Sequence, residues 1–224
     1  MQAEMKAMIL AAGRGNRLSP LTDKIPKPLV KVGKRTLIEH HIRKCAEAGF
    51  ESVIINTAHL GEQIHKHLGD GNRFNIPIHY SDEGEQALET AGGIAYALPL
   101  LGDQPFLVIS SDIYCDIPFN AHFQLTSVHM HLIMVNNPKH HTKGDFTAKQ
   151  VNLNYPDAER YTYSGIAYVN PSLFTYEKRA YPLIDVIKQC VNNKSISSEL
   201  HTGLWMDVGT ADRLHTANKH ALNC

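Results

Sequence analysis

The chain has only four cysteines in 224 residues. Cys45, Cys115, Cys190 and Cys224 lie far apart with no C-x-x-C pair, so neither a disulfide framework nor a zinc knuckle is signalled and reduced thiols are expected. There is no excess of either charge: 22 Lys and Arg stand against 22 Asp and Glu. No run of like sign suggests a nucleic-acid partner or a charged tail. No apolar stretch approaches the roughly 20 residues that cross a bilayer, and Met1 to Lys6 lack a signal-peptide pattern, so no membrane partner is expected and the expected compartment is the cytoplasm. No glycine/serine tract, composition shift or internal repeat divides the chain, and residues 1–224 are expected to form a single domain.

Histidine, by contrast, is plentiful at 14 residues. The pairs do not have chelating spacing: His40-His41 and His140-His141 are adjacent, and His65 and His67 fall on different sides of a helix. His129 and His131 share a face only in a strand. Short metal motifs carry mechanism only in the right structural context, so a histidine metal site is not expected.

The most informative segment is Met8-Ile9-Leu10-Ala11-Ala12-Gly13-Arg14-Gly15-Asn16-Arg17-Leu18, continuing to Lys27-Pro28-Leu29. An apolar run stops at two glycines, with Ala11 and Ala12 too small to obstruct, so backbone N–H groups can approach an anion closely. Arg17 adds a guanidinium able to fork onto two phosphate oxygens, and Lys27 a compact point charge. The dinucleotide fingerprint fails because Leu18 occupies its third glycine position and a loop follows where a helix is needed. The P-loop fails because Pro28 stands five residues before Gly33.

Periodicity gives a β-α-β-α-β order in the first half. Strands are predicted over Lys6 to Ala11, Ser52 to Asn56, Ile78 to Ser81 and Phe106 to Ser110, and helices from Thr36 to about Ala48, over Glu62 to Leu68, and from Thr90 to about Leu100. The second half is less regular. Strands are predicted over His129 to Val135, Tyr161 to Val169 and Leu204 to Val208, helices over Leu183 to Val191 and from Ala211, and a loop over Asn136 to Asp145. This pattern suggests an α/β fold with a mixed sheet covered by helices.

Asp112 follows the buried strand Phe106 to Ser110, at the sheet edge where α/β proteins bind ligands. Asp207, in Trp205-Met206-Asp207-Val208-Gly209-Thr210, ends another strand. Two carboxylates brought together can hold Mg²⁺, which completes its shell with phosphate oxygens and water. Each aspartate taken alone reads more simply as a loop cap.

The pattern G-x-G-x-R followed ten residues later by K-P-L resembles the signature of sugar-nucleotide pyrophosphorylases, with Asn16 where threonine is usual. Asp112 and Asp207 match the family's two aspartates, although Ser110-Ser111 replace its usual asparagine and glycine. Leu88 to Gly93 and Tyr163 to Ile166 look like its base-proximal segment and sugar-binding strand.

This resemblance implies a Rossmann-like three-layer mixed sheet flanked by helices, and Mg²⁺-dependent attack of a sugar-1-phosphate oxygen on the α-phosphorus of a nucleoside triphosphate. Because that oxygen is already anionic, the protein's task is positioning and electrostatic stabilisation. On the resemblance, Arg17 and Lys27 are catalytic, and Ala11, Ala12, Gly13, Gly15 and Gly92 bind the nucleotide, with glycine at 92 admitting a flat ring. Glu89, Ser164 and Gly165 contact the sugar, and Asp112 and Asp207 hold Mg²⁺. A helix cap is the alternative role for Thr90.

The short form of the family that ends in W-x-D-V-G-T implies UTP and N-acetylmuramate-1-phosphate as substrates in cell-wall recycling, with a monomer or small homo-oligomer. Guanylyl transfer to mannose-1-phosphate and a glucose-1-phosphate-type transfer are the alternatives. A non-catalytic sugar-nucleotide sensor would keep the loop but not need all four charged residues. A glycosyltransferase would more typically carry D-x-D, and Asp112 to Asp116 is too wide for it.

Overall fold

The structure is a computed structural model that describes residues 5–222. Met1 to Glu4, the start of the segment without a leader pattern, and Cys224 lie outside the described residues. In chain order the first half comprises β1 (Ala7–Leu10), β2 (Lys31–Val32), β3 (Arg35–Thr36), α1 (Leu37–Glu47), β4 (Val53–Thr57), α2 (Gly61–Leu68), β5 (Ile78–Asp82), α3 (Glu89–Leu101) and β6 (Phe106–Ser110). There follow β7 (Ile113–Cys115), β8 (Met130–Val135), β9 (Phe146–Thr147), β10 (Arg160–Val169), α4 (Leu183–Asn192), β11 (Ile196–His201), β12 (Trp205–Asp207) and α5 (Ala211–Leu222).

The main sheet runs β11-β8-β10-β6-β1-β4-β5, with β9 added against β10. It is parallel from β6 to β5 and again at β11–β8, while β10 runs antiparallel to both its neighbours. The mixed sheet expected from the sequence is therefore present. Strand alternation divides its side chains between two faces. Met8, Ile54 and Val108 pack with Ile94 of α3 and Val186 of α4, whereas Ile9, Ile55 and Ile109 pack with Ile42 of α1 and Ile64 of α2. Helices on both faces make the three layers. A satellite cluster of Val30, Val32, Leu37, Val208 and Ala217 seats α5 against the β2–β3 hairpin.

The helices and strands expected from hydrophobic period are all present, with ends displaced by a residue or so. The β2–β3 hairpin, β7, β9 and β11 were not expected, because each is short or lacks apolar alternation. In β11 only Ile196 is fully buried. The parallel order β6-β1-β4-β5 sends the C-terminal ends of these strands, and the loops that follow them, to one edge of the sheet, where α/β proteins bind ligands.

Candidate active site

β1 ends at Leu10 and the chain turns at Gly15, whose φ of 72° is left-handed backbone that glycine adopts without strain. A side chain there would also press on Lys27 Cβ and Thr22 Cγ2, each 3.1 Å from its Cβ. Thr22 Oγ1 donates to the Gly15 carbonyl at 2.9 Å and locks the turn. Among the described residues the amides of Gly13, Arg14 and Gly15 donate no hydrogen bond, leaving three successive N–H groups for an anion.

Gly13, Gly15, Asn16, Arg17 and Lys27 line a cleft of about 530 Å³, together with Ser110, Ser111, Asp112 and Gly209. Arg17 is exposed and makes no ion pair among the described residues. It also borders an adjoining hollow of about 410 Å³ that contains Ser164, Gly165 and Asp207. The two spaces share Arg17 and Ser110, so loop, aspartates and Tyr163–Gly165 segment face one continuous region.

Asp112 and Asp207 are brought together by a ladder that sequence period did not show. β7 and β12 pair antiparallel with Asp207 opposite Ile113, and Val208 N donates to the Asp112 carbonyl at 2.8 Å. Lys27 Nζ donates to Asp112 Oδ2, and Arg213 Nη1 donates to Asp207 Oδ2. Asp207 Oδ1 lies 3.0 Å from His140 Nε2, but no hydrogen bond satisfies it, and it is buried. His140 Nε2 instead accepts from Arg213 Nη1 at 2.7 Å. The buried, orphaned Oδ1 of Asp207 is the kind of hard oxygen ligand a divalent cation takes, and the Asp112 carboxylate lines the adjoining cleft.

Arg213 was not singled out from the sequence. Thr210 Oγ1 accepts from Arg213 N at 3.4 Å, an N-cap contact that sets the first turn of α5 back over β12. A cation in a helix's first turn opposes the dipole. That mismatch was the available signal for a carboxylate partner.

At the sugar end, Gly165 has φ 82°, and a Cβ there would approach Ser110 Oγ to 2.9 Å. Here the register of β10 against β8 shifts between Tyr163 and Ala167. Ser164 is fully buried, and its carbonyl accepts from Trp205 Nε1 at 2.9 Å. Glu89 lines the main cleft with φ 58°, a strained conformation for a non-glycine residue.

Two base-proximal expectations change. Gly92 does not line the cleft: a Cβ there would lie 2.1 Å from the Arg179 carbonyl, and its N–H donates to Tyr181 O at 3.1 Å. The glycine serves the close approach of the 179–181 backbone to α3, not that of a ring. Ala11 is buried between Leu10 and Ala12, which line the cleft, and its N–H donates to Asn56 Oδ1 at 2.8 Å and is committed. Ala12 lines the cleft. Thr90 caps a helix, though not its own: its Oγ1 accepts from Leu183 N at 2.7 Å, in the first turn of α4. Asn56 and Glu83, which lie beneath the cleft, were missed by the sequence reading.

A Rossmann-like mixed sheet with a cationic glycine loop and paired carboxylates at its ligand-binding edge defines a nucleotide-handling transferase. The nucleotidyl transferase family model matches residues 6–146, and the chain belongs to that family. It is 44% identical over 223 residues to the N-acetylmuramate alpha-1-phosphate uridylyltransferase of Neisseria meningitidis, covering 95% of this chain and 96% of that one. It is 31% identical over 232 residues to the mannose-1-phosphate guanyltransferase of Aspergillus oryzae, of whose length it spans 61%. Among solved structures, a Bacillus anthracis protein described as a glucose-1-phosphate thymidylyltransferase superposes with a TM-score of 0.84 at 22% identity, over 98% of this chain and 96% of that one. HddC from Yersinia pseudotuberculosis superposes with 0.76 at 16% identity, over 96% and 99%. At those identities the two structures establish the fold.

Proposed function

We propose that this chain transfers UMP from UTP to a sugar-1-phosphate, with N-acetylmuramate-1-phosphate the preferred acceptor, in cytoplasmic cell-wall recycling. Residues 1–224 act as one catalytic domain, as a monomer or small homo-oligomer. The observation that carries the reading is the convergence on one cleft and its adjoining hollow of Gly13, Gly15, Arg17, Lys27, Asp112 and Asp207, with Arg17 and the Gly13 and Gly15 amides unpartnered among the described residues. Uridylyl rather than guanylyl transfer is favoured by the likeness to the Neisseria enzyme, which is higher and nearly full length.

A sugar-phosphate oxygen forms the new bond to the α-phosphorus, the bond from that phosphorus to the bridging oxygen breaks, and pyrophosphate leaves with the electron pair. The amides of Gly13 to Gly15 cradle the triphosphate, and Arg17 stabilises the departing pyrophosphate. Lys27, held by Asp112, offsets charge where the two phosphates meet. Ala12 packs beside the nucleotide, while Glu89, Ser164 and Gly165 shape the acceptor's place. Asp112 and Asp207 would hold Mg²⁺, which when bound supplies positive charge against the phosphate oxygens.

UTP labelled at its α-phosphate tests the reading. With N-acetylmuramate-1-phosphate the label is expected in the nucleotide sugar and not in pyrophosphate. Label released as UMP would overturn it, and a preference for GTP with mannose-1-phosphate would move it to guanylyl transfer.

A further inference from the structure

Beneath the cleft, two buried polar side chains form a chain of hydrogen bonds between its walls. Asn56, near the end of β4, is 2% exposed, and Glu83, just beyond β5, is 1% exposed. Ala11 N donates to Asn56 Oδ1 at 2.8 Å, Asn56 Nδ2 donates to Glu83 Oε1 at 2.7 Å, and Leu88 N donates to Glu83 Oε2 at 2.6 Å. Ala11 opens the glycine loop and Leu88 precedes α3, so three bonds tie the two segments together.

A carboxylate without a salt-bridge partner among the described residues is a costly way to join two loops. Burial raises its pKa despite the bonds it accepts. Space for the pair is reserved by Gly93 of α3, where a Cβ would lie 2.5 Å from Glu83 Oε1 and 2.7 Å from Asn56 Nδ2. The anchored Leu88 amide also precedes Glu89, whose left-handed backbone needs fixing from outside. Asn56 itself reaches the cleft, with Ala12 on one wall and Ala87 and Glu89 on the other.

We propose that Asn56 and Glu83 are positioning residues that set the separation of the two walls gripping the nucleoside triphosphate. This rests on the nucleotide reading of the cleft. Both carboxylate oxygens and both ends of the carboxamide have assigned partners, so the pair can be inverted. In the double variant Asn56→Asp with Glu83→Gln, the carboxylate now at position 56 accepts from Ala11 N and from the carboxamide now at position 83. The oxygen of that carboxamide accepts from Leu88 N. All three bonds and the net charge are preserved. Glu83→Gln alone sets two amide donors face to face, and Asn56→Asp alone sets two carboxylates face to face.

The test is this four-member cycle, reading UTP dissociation constants by calorimetry, kcat and acceptor KM by pyrophosphate release, and melting temperature as a check on folding. Each single variant is expected to weaken UTP binding about tenfold or more, with the double variant within about threefold of the original. The acceptor KM and kcat are expected to move less than about threefold, a split that general loss of structure would not give. If a single variant fails to fold, restored UTP binding in the double variant carries the same information. Losses that multiply in the double variant, or single variants that bind UTP normally, overturn the proposal, as does an original chain that does not bind UTP. UTP binding without turnover would overturn the proposed reaction alone, and the cycle would still decide the role of Asn56 and Glu83.

Discussion

Arg17 and Lys27 face the same cleft in opposite settings. Arg17 is exposed with no ion pair among the described residues, whereas Lys27 is 9% exposed and bonded to Asp112. A surface arginine engaged only in an ion pair would contribute ~0–1 kcal/mol to stability and nothing to rate. For Arg17→Ala and Lys27→Ala we expect turnover to fall on the order of 10²–10³-fold or more, the typical loss when one preorganised donor is removed. Steady-state pyrophosphate release from folded variants checks this, and near-original turnover in both would remove them from the mechanism. Arg17 and both aspartates were legible in the sequence because each lies at a glycine turn or a strand end, and Lys27 because it opens the K-P-L of the family resemblance. Asn56, Glu83 and Arg213 were not, because each takes its meaning from a partner met only in three dimensions. Gly92 shows the converse: its glycine signal was plain, but what required it was the Arg179 carbonyl, far away in sequence.

At the scale of elements, hydrophobic period located every long helix, every longer strand but β11, and the short β12, but missed β7, β9 and the β2–β3 hairpin. The pairing of β7 with β12 is the costliest omission, since it brings together the backbones at Asp112 and Asp207, about 95 residues apart in sequence. Helix ends were legible in part. Thr36 and Glu39 form a capping box on α1, with bonds of 3.4 and 2.8 Å. Thr90 instead caps α4 across a gap of 93 residues. Thr90→Val keeps the shape and removes the acceptor, leaving a first-turn amide of α4 unsatisfied. The expected cost is about 1 kcal/mol of stability by denaturant unfolding, and an unchanged midpoint would show that the bond contributes nothing.

For the whole molecule, the expected three-layer α/β fold holds because the buried strands carried continuous apolar runs and the helices apolar faces. The histidines disperse through it. His41 is buried in α1 with Phe119 stacked on it at 6.2 Å. Its pKa is lowered from 6.5 to about 3, chiefly by burial and next by Lys44. The unfolded chain therefore binds a proton at this position below about pH 6.5 while the folded one does not until about pH 3. Stability must fall as pH drops through that window, by up to about 1.4 kcal/mol per pH unit from this residue. Denaturant unfolding between pH 7 and 4 should show a shallower decline for His41→Leu, and an identical slope would contradict the assignment.

The sheet places the glycine loop, the aspartates and the Tyr163–Gly165 segment on one edge, and the central claim is that this edge joins a nucleotide to a sugar phosphate. The most direct test is pyrophosphate release with Mg²⁺ across a grid of nucleoside triphosphates and sugar-1-phosphates. Release confined to UTP with N-acetylmuramate-1-phosphate is the expected result, and no release from any pair, with UTP still bound, would contradict it.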